Sequence, residues 1–178
     1  NKKVKICIAR AGNVIGGGDW SPDRIIPDLF KQWSKSKKLK IRNPNSTRPW
    51  QHVLEPINGY VRLADLLQSN EKLNGESFNF GPGKVKNYNV KDIVLKFQKY
   101  FPNFKYKIFQ SKKFSESNLL KLNCRKAFKL LNWKQRLTVE DTVSYTASWY
   151  KSFLTQNKKI NMHEFSKYQI KSYLKLKK

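Results

Sequence analysis

Arg48 lies in Ser-Thr-Arg-Pro-Trp-Gln, where Pro49 and Trp50 stiffen the chain around it. A guanidinium held in such a loop can grip a diphosphate through two parallel N–H donors. The other reading of Arg48 is a surface side chain stacked on Trp50. Gly16-Gly17-Gly18 follows the first apolar segment, and a backbone without side chains lets a ligand come close or simply makes a flexible turn. Asn13, just before it, can hydrogen-bond a sugar or phosphate, or close the turn. Together these residues suggest a cradle for a phosphorylated ligand.

The residues that would perform bond-making chemistry do not accompany the cradle. His52 has no suggested Ser or Cys nucleophile nearby and reads as a structural histidine rather than a general base. Tyr173-Leu-Lys-Leu-Lys177 fits the catalytic pattern Tyr-x-x-x-Lys, but in a lysine-rich terminal stretch the match is cheap and reads as chance. Neither G-x-G-x-x-G nor G-x-x-G-x-x-G occurs. Cys7 and Cys124 are isolated thiols far from either histidine, which argues against zinc or a structural disulfide and suits a reducing cytoplasm.

The elements that must position these residues alternate. Val4, Ile6 and Ile8 predict a buried strand over residues 3–9. Ser21-Pro22-Asp23 predicts a helix start, followed by Ile25, Ile26, Leu29, Phe30 and Trp33 on one face. Lys38 to Arg42 reads as a strand. Glu55 to Gln68 reads as a helix with Ile57, Val61, Ala64 and Leu67 as its buried stripe. Ser77 to Phe80 is a strand closed by Gly81-Pro82-Gly83. Asn89 and Thr138 read as helix caps, the second opening a helix with Val139, Val143, Thr146, Tyr150 and Phe153 inward. Phe104 to Phe109 predicts a strand and Lys126 to Leu131 a helix. Past Thr155 the chain is Lys/Asn-rich and is expected to fray, which divides it into a folded part, 1–155, and a basic tail, 156–178. This order places the chain in the α/β class.

Composition bounds the alternatives. The chain has 178 residues, enough for one core, and 39% are apolar. No run reaches the roughly eighteen apolar residues that a membrane helix requires. The net charge of +25 invites a nucleic-acid reading. However, 30 of the 37 basic residues are scattered lysines, with no Arg-rich run, so a solvated lysine surface is the better reading.

Several motifs in order give the chain a family resemblance. R-A-G-N-V-I-G-G-G-D-W, D-R-I-I-P-D, I-R-N-P, T-R-P-W-Q-H-V-L-E-P and F-N-F-G-P resemble the C-terminal half of the sugar-nucleotide dehydratases. These belong to the extended short-chain dehydrogenase/reductase family. The later L-K-L-N-C-R-K-A-F-K-L-L-N-W and S-Y-T-A-S-W-Y are similar to its C-terminal helices, so the match spans about Lys5 to Tyr150. The resemblance implies the C-terminal part of a Rossmann-like doubly wound sheet plus a smaller substrate-binding subdomain. It also implies that Asn1 falls after the family's NAD loop and catalytic Tyr-x-x-x-Lys, leaving no catalytic residue in this chain.

The implied intact enzyme is a cytoplasmic homodimer that uses NAD to dehydrate a CDP-sugar, and the missing N-terminal half is a required partner. Ala11 and Gly12 would meet the nicotinamide end of the cofactor, with Asn13 beside the sugar diphosphate. Arg24 would approach the diphosphate or nucleoside, Ile41, Arg42 and Asn43 would line the base pocket, and Arg48 would clamp the diphosphate. Asn79 and the stretch Glu116 to Lys121 are further candidates. Asn132 departs from the family's usual glycine, a matter of a helix end. The competing reading is a stand-alone basic module that binds polyanions or nucleic acid.

Overall fold

The computed structural model describes residues 4–83, 88–109, 121–155 and 160–176. Three parallel strand pairs carry the architecture. β1 (Ile8–Ala11) pairs with β6 (Ser77–Phe80), β2 (Asn13–Ile15) with β5 (Trp50–His52), and β3 (Leu39–Ile41) with β8 (Tyr106–Ile108). A short antiparallel pair, β4 (Thr47–Arg48) and β7 (Tyr88–Asn89), completes the strands. Parallel partners need long crossovers, and α1 (Ile25–Ser34), α2 (Leu54–Ser69) and α3 (Val90–Gln98) lie within them. α4 (Arg125–Leu131), α5 (Val139–Leu154) and α6 (Met162–Leu174) follow. The α/β class is therefore as the sequence predicts.

Two apolar clusters hold these elements. In the larger, Phe30 of α1 stacks on Tyr150 of α5 at 3.7 Å between centroids and meets Phe97 and Phe101 edge-on. In the smaller, Leu63 of α2, Phe78 and Phe80 of β6, and Leu131 of α4 surround Trp133. α2 comes close because Gly59 has no side chain; a Cβ there would sit 2.3 Å from Phe80. The amide of Gln51 ties the strand pairs together by donating to the Phe80 carbonyl at 2.8 Å.

The predicted caps form as complete boxes. Asn89 Oδ1 accepts from the Asp92 N–H at 2.7 Å, and Thr138 Oγ1 from the Asp141 N–H at 3.1 Å. In each box the acid accepts the cap residue's own N–H in return. Asn132 ends α4 in the left-handed conformation at φ 45°, as a residue standing in for glycine must.

Other expectations need correction. α1 begins at Ile25, not at Ser21-Pro22, because the Asp19 carboxylate accepts the Ser21 N–H at 3.0 Å and holds that stretch as a turn. Asp23 then takes φ 59°. The first strand begins only at Ile8, and Val4, Ile6 and Ile8 are exposed rather than buried. α2 turns most of its predicted stripe outward: Ile57 is 47% and Val61 57% exposed and Ala64 is exposed, while Leu67 packs against the smaller cluster and Glu55, Pro56, Gly59 and Leu63 face inward. The close approach at Gly59 and a polar anchor at Glu55 outweigh the apolar stripe. Phe153 is likewise exposed, against the surface of Trp149 and Trp20.

The expected fraying does not hold over residues 160–176, which carry α6. α6 packs on α5, where Gln169 donates to the Tyr145 carbonyl at 2.7 Å and Ser166 accepts from the Trp149 indole at 3.0 Å. Tyr173 is buried, and its hydroxyl donates to Glu55 Oε2 at 3.0 Å. That contact gives the tyrosine of the Tyr-x-x-x-Lys match an interior, structural place; Lys177 lies outside the described residues. No described helix is long and apolar enough to cross a membrane.

Candidate site at the carboxyl ends of the parallel strands

In open α/β sheets ligands gather beyond the carboxyl ends of the strands. Here β1 ends at Ala11 and β2 at Ile15, and beside them opens a cavity of about 660 Å³. Ala11, Gly12 and Asn13 form one wall, Arg24 and the first turn of α1 another, and Lys40, Arg42, Asn43 and Arg48 a third. Residues far apart in sequence thus meet: Asn13, Arg42 and Arg48 line one space. Arg48 Nη1 also donates to the Thr47 carbonyl at 2.9 Å. Of the other candidates, Ile41 is buried in the larger core cluster. Asn79 is not among the lining residues; its amide donates to the Asn123 carbonyl at 3.3 Å. The stretch 116–120 lies outside the described residues.

The cavity is a mixed-charge site. Arg24, Lys40, Arg42 and Arg48 share it with Asp19, Asp23 and Asp28. Arg42 Nη2 sits 3.1 Å from Asp23 Oδ1, and Arg24 Nη1 is 3.4 Å from Asp19 Oδ2. Burial pushes the Asp19 carboxyl up, but the Ser21 donors and Arg24 outweigh it and hold the group below its ordinary value. Burial raises Asp28, against the pull of Lys31 and Arg42. The acids give no sequence signal of their own, since only the turn at Asp19 brings them round to the arginines.

The Gly16–Gly18 loop is shaped by packing. A Cβ on Gly17 would lie 2.0 Å from the Trp149 ring, so α5 occupies the space a side chain would need. Trp20 packs edge-on against Tyr150, whose hydroxyl donates to the Asp19 carbonyl. The loop carrying Asp19 is therefore pinned to α5, and α5 in turn to α6.

His52 is buried behind the cavity. Burial depresses its pKa to about 4, so the ring is neutral at pH 7, and Nδ1 accepts the Leu54 N–H at 3.3 Å. Among the described residues no group of His, Cys, Asp and Glu could hold a metal ion.

No family model matches the chain. It is 38% identical to CDP-glucose 4,6-dehydratase of Salmonella typhimurium strain LT2, over 85% of this chain and 42% of that protein. Its fold matches UDP-glucuronic acid 4-epimerase from Bacillus cereus, solved with UDP-glucuronic acid and NAD. The TM-score is 0.67 at 22% identity, covering 84% of this chain and 46% of that one. It also matches dTDP-glucose 4,6-dehydratase from Bacillus anthracis in complex with NAD, with a TM-score of 0.65 at 18% identity, covering 85% and 46%. The chain thus spans under half the length of these proteins. By sequence it is similar to a CDP-glucose 4,6-dehydratase, and its fold is that of the C-terminal region of NAD-dependent sugar-nucleotide epimerases and dehydratases.

Proposed function

We propose that this chain is the sugar-nucleotide-binding portion of a CDP-glucose 4,6-dehydratase. The observation that carries this reading is the single cavity in which Asn13, Arg24, Arg42, Asn43 and Arg48 converge, taken with the 38% identity. Arg48 would clamp the diphosphate, as a guanidinium does through paired donors. Arg42 is paired at the rim with the exposed Asp23, a kind of pair worth little in water, which would yield readily to a ligand. Asn13 would position the sugar.

The residues of this chain do not by themselves fit NAD. The glycine fingerprint does not occur, and Tyr173 is engaged with Glu55. Only Ala11 and Gly12 stand where the nicotinamide end would meet the substrate. The intact activity, conversion of CDP-D-glucose to CDP-4-keto-6-deoxy-D-glucose and water, then requires a cofactor-binding half.

Calorimetric titration with CDP-glucose tests the binding role. Wild-type chain should bind it, and Arg48→Ala should weaken binding at least tenfold, in the range for losing a charge-assisted pair. Equal binding by the variant would remove Arg48 from the site. Incubated with CDP-glucose and NAD, the chain alone should form no 4-keto product, and turnover by it would overturn the division of labour.

The charge of +25 favours a second reading, a polyanion-binding module. Retention on single-stranded nucleic acid at physiological salt, without CDP-glucose binding, would select it.

A further inference from the structure

Lys40 lies in the middle of β3, flanked by Leu39 and Ile41, which are both buried. Alternation along a strand therefore turns Lys40 outward, where it lines the cavity. Its register partner across the parallel pair is Lys107 of β8. Register partners project to the same face, so Lys107 neighbours Lys40 on the strand pair, although only Lys40 lines the cavity. Like charges in that position destabilise a sheet. Neither lysine has a carboxylate partner among the described residues, whereas Arg24 and Arg42 have Asp19 and Asp23.

The charges of the cavity sharpen the point. Arg24, Arg42 and Arg48 are matched in number by Asp19, Asp23 and Asp28, which leaves Lys40 as the surplus cation. Lys107, next to it in register but outside the lining, brings the local surplus to the charge of a sugar nucleotide's doubly ionised diphosphate.

We propose that Lys40, in the cavity wall, and its strand neighbour Lys107 form a phosphoryl-attracting pair, which takes up the negative charge of the diphosphate as it enters. This deepens the sugar-nucleotide reading and rests on it. The unliganded protein holds two uncompensated cations together, and the ligand relieves their repulsion. The pair contributes affinity and capture rate, and acts on no reacting bond.

Calorimetric titration of the full chain with CDP-glucose tests the pair. In about 20 mM salt, K40Q/K107Q should raise Kd roughly tenfold, and in about 200 mM salt much less, since the Debye length shrinks. A control, K129Q/K171Q, removes the same charge from exposed positions on α4 and α6 and should leave Kd within about twofold. Without ligand, K40Q/K107Q should melt at the same or a higher temperature than wild type, because the repulsion is gone. K40R/K107R should bind like wild type.

An unchanged Kd in K40Q/K107Q would overturn the pair, and so would an equal loss in the control, which would make the effect one of overall charge. A lowered melting temperature in K40Q/K107Q would show that the lysines are not mutually repulsive and would also overturn it. If wild-type chain binds no CDP-glucose at all, the sugar-nucleotide reading fails first and takes the pair with it.

Discussion

Glu55 shows how one residue can decide the set of a helix. Its carboxylate is fully buried, with Oε1 accepting the N–H groups of Arg136 at 2.9 Å and Leu137 at 2.7 Å and Oε2 the Tyr173 hydroxyl. Burial raises its pKa, while these donors and the nearby Arg136 pull it back. Glu55→Ala would strand three donors and should cost about 3 kcal/mol in urea unfolding, whereas Tyr173→Phe should cost about 1 kcal/mol. Equal effects would mean that the backbone donors find other acceptors. His52 gives a pH signature. Its folded pKa, about 4, lies below the unfolded value of 6.5, so the unfolded state binds the extra proton. Its stability contribution is complete above pH 6.5 and is lost as pH falls toward 4. The shift corresponds to at most about 3 kcal/mol. Glu55, raised on folding, works with the opposite sign, losing stability as pH rises through its folded pKa. The pair is separable by denaturant melts of His52→Gln between pH 4 and 7, which should lack the histidine's share of the slope.

At the scale of elements, the loop from Gly16 to Asp19 and helix α5 act as one piece. Gly17→Ala should cost about 2–3 kcal/mol, typical of overpacking, because its Cβ would strike Trp149. The double variant with Trp149→Ala should lose less than the sum of the single changes. Strict additivity would show that the contact does not govern the site. This is also where the sequence was partly legible. The boxes at Asn89 and Thr138 depend on residues three apart, and both form as written. The inward face of α2 depends on donors 81 and 82 residues from Glu55 and on Phe80 against Gly59, none of which periodicity encodes. The meeting of Asn13, Arg42 and Arg48 follows from the alternation of strands and helices, since loops after successive elements gather at the carboxyl ends of the strands. Lys40 escaped notice because a register fixed by β8, not a motif, places it beside Lys107.

For the whole molecule, apolar surface and charge oppose each other. Val4 and Ile6 are 81% and 63% exposed, Ile57 and Val61 are exposed on α2, and β1 has β6 as its one strand partner among the described residues. Such edges and patches promote association, and a net charge of +25 resists it. Light scattering should show the chain monomeric at low ionic strength and self-associating as salt approaches about 0.5 M, where repulsion is screened. A monodisperse monomer throughout would show that the exposed residues are harmless. The strand pairing has a further consequence, for synthesis. Ile8 pairs with Ser77 and Leu39 with Tyr106, so each early strand leaves the ribosome long before its mate. At about 5–20 residues per second, such a strand waits several seconds for its partner. Contacts this distant also fold slowly. Unpaired β1 and β3 therefore stay exposed during synthesis until β6 and β8 respectively emerge.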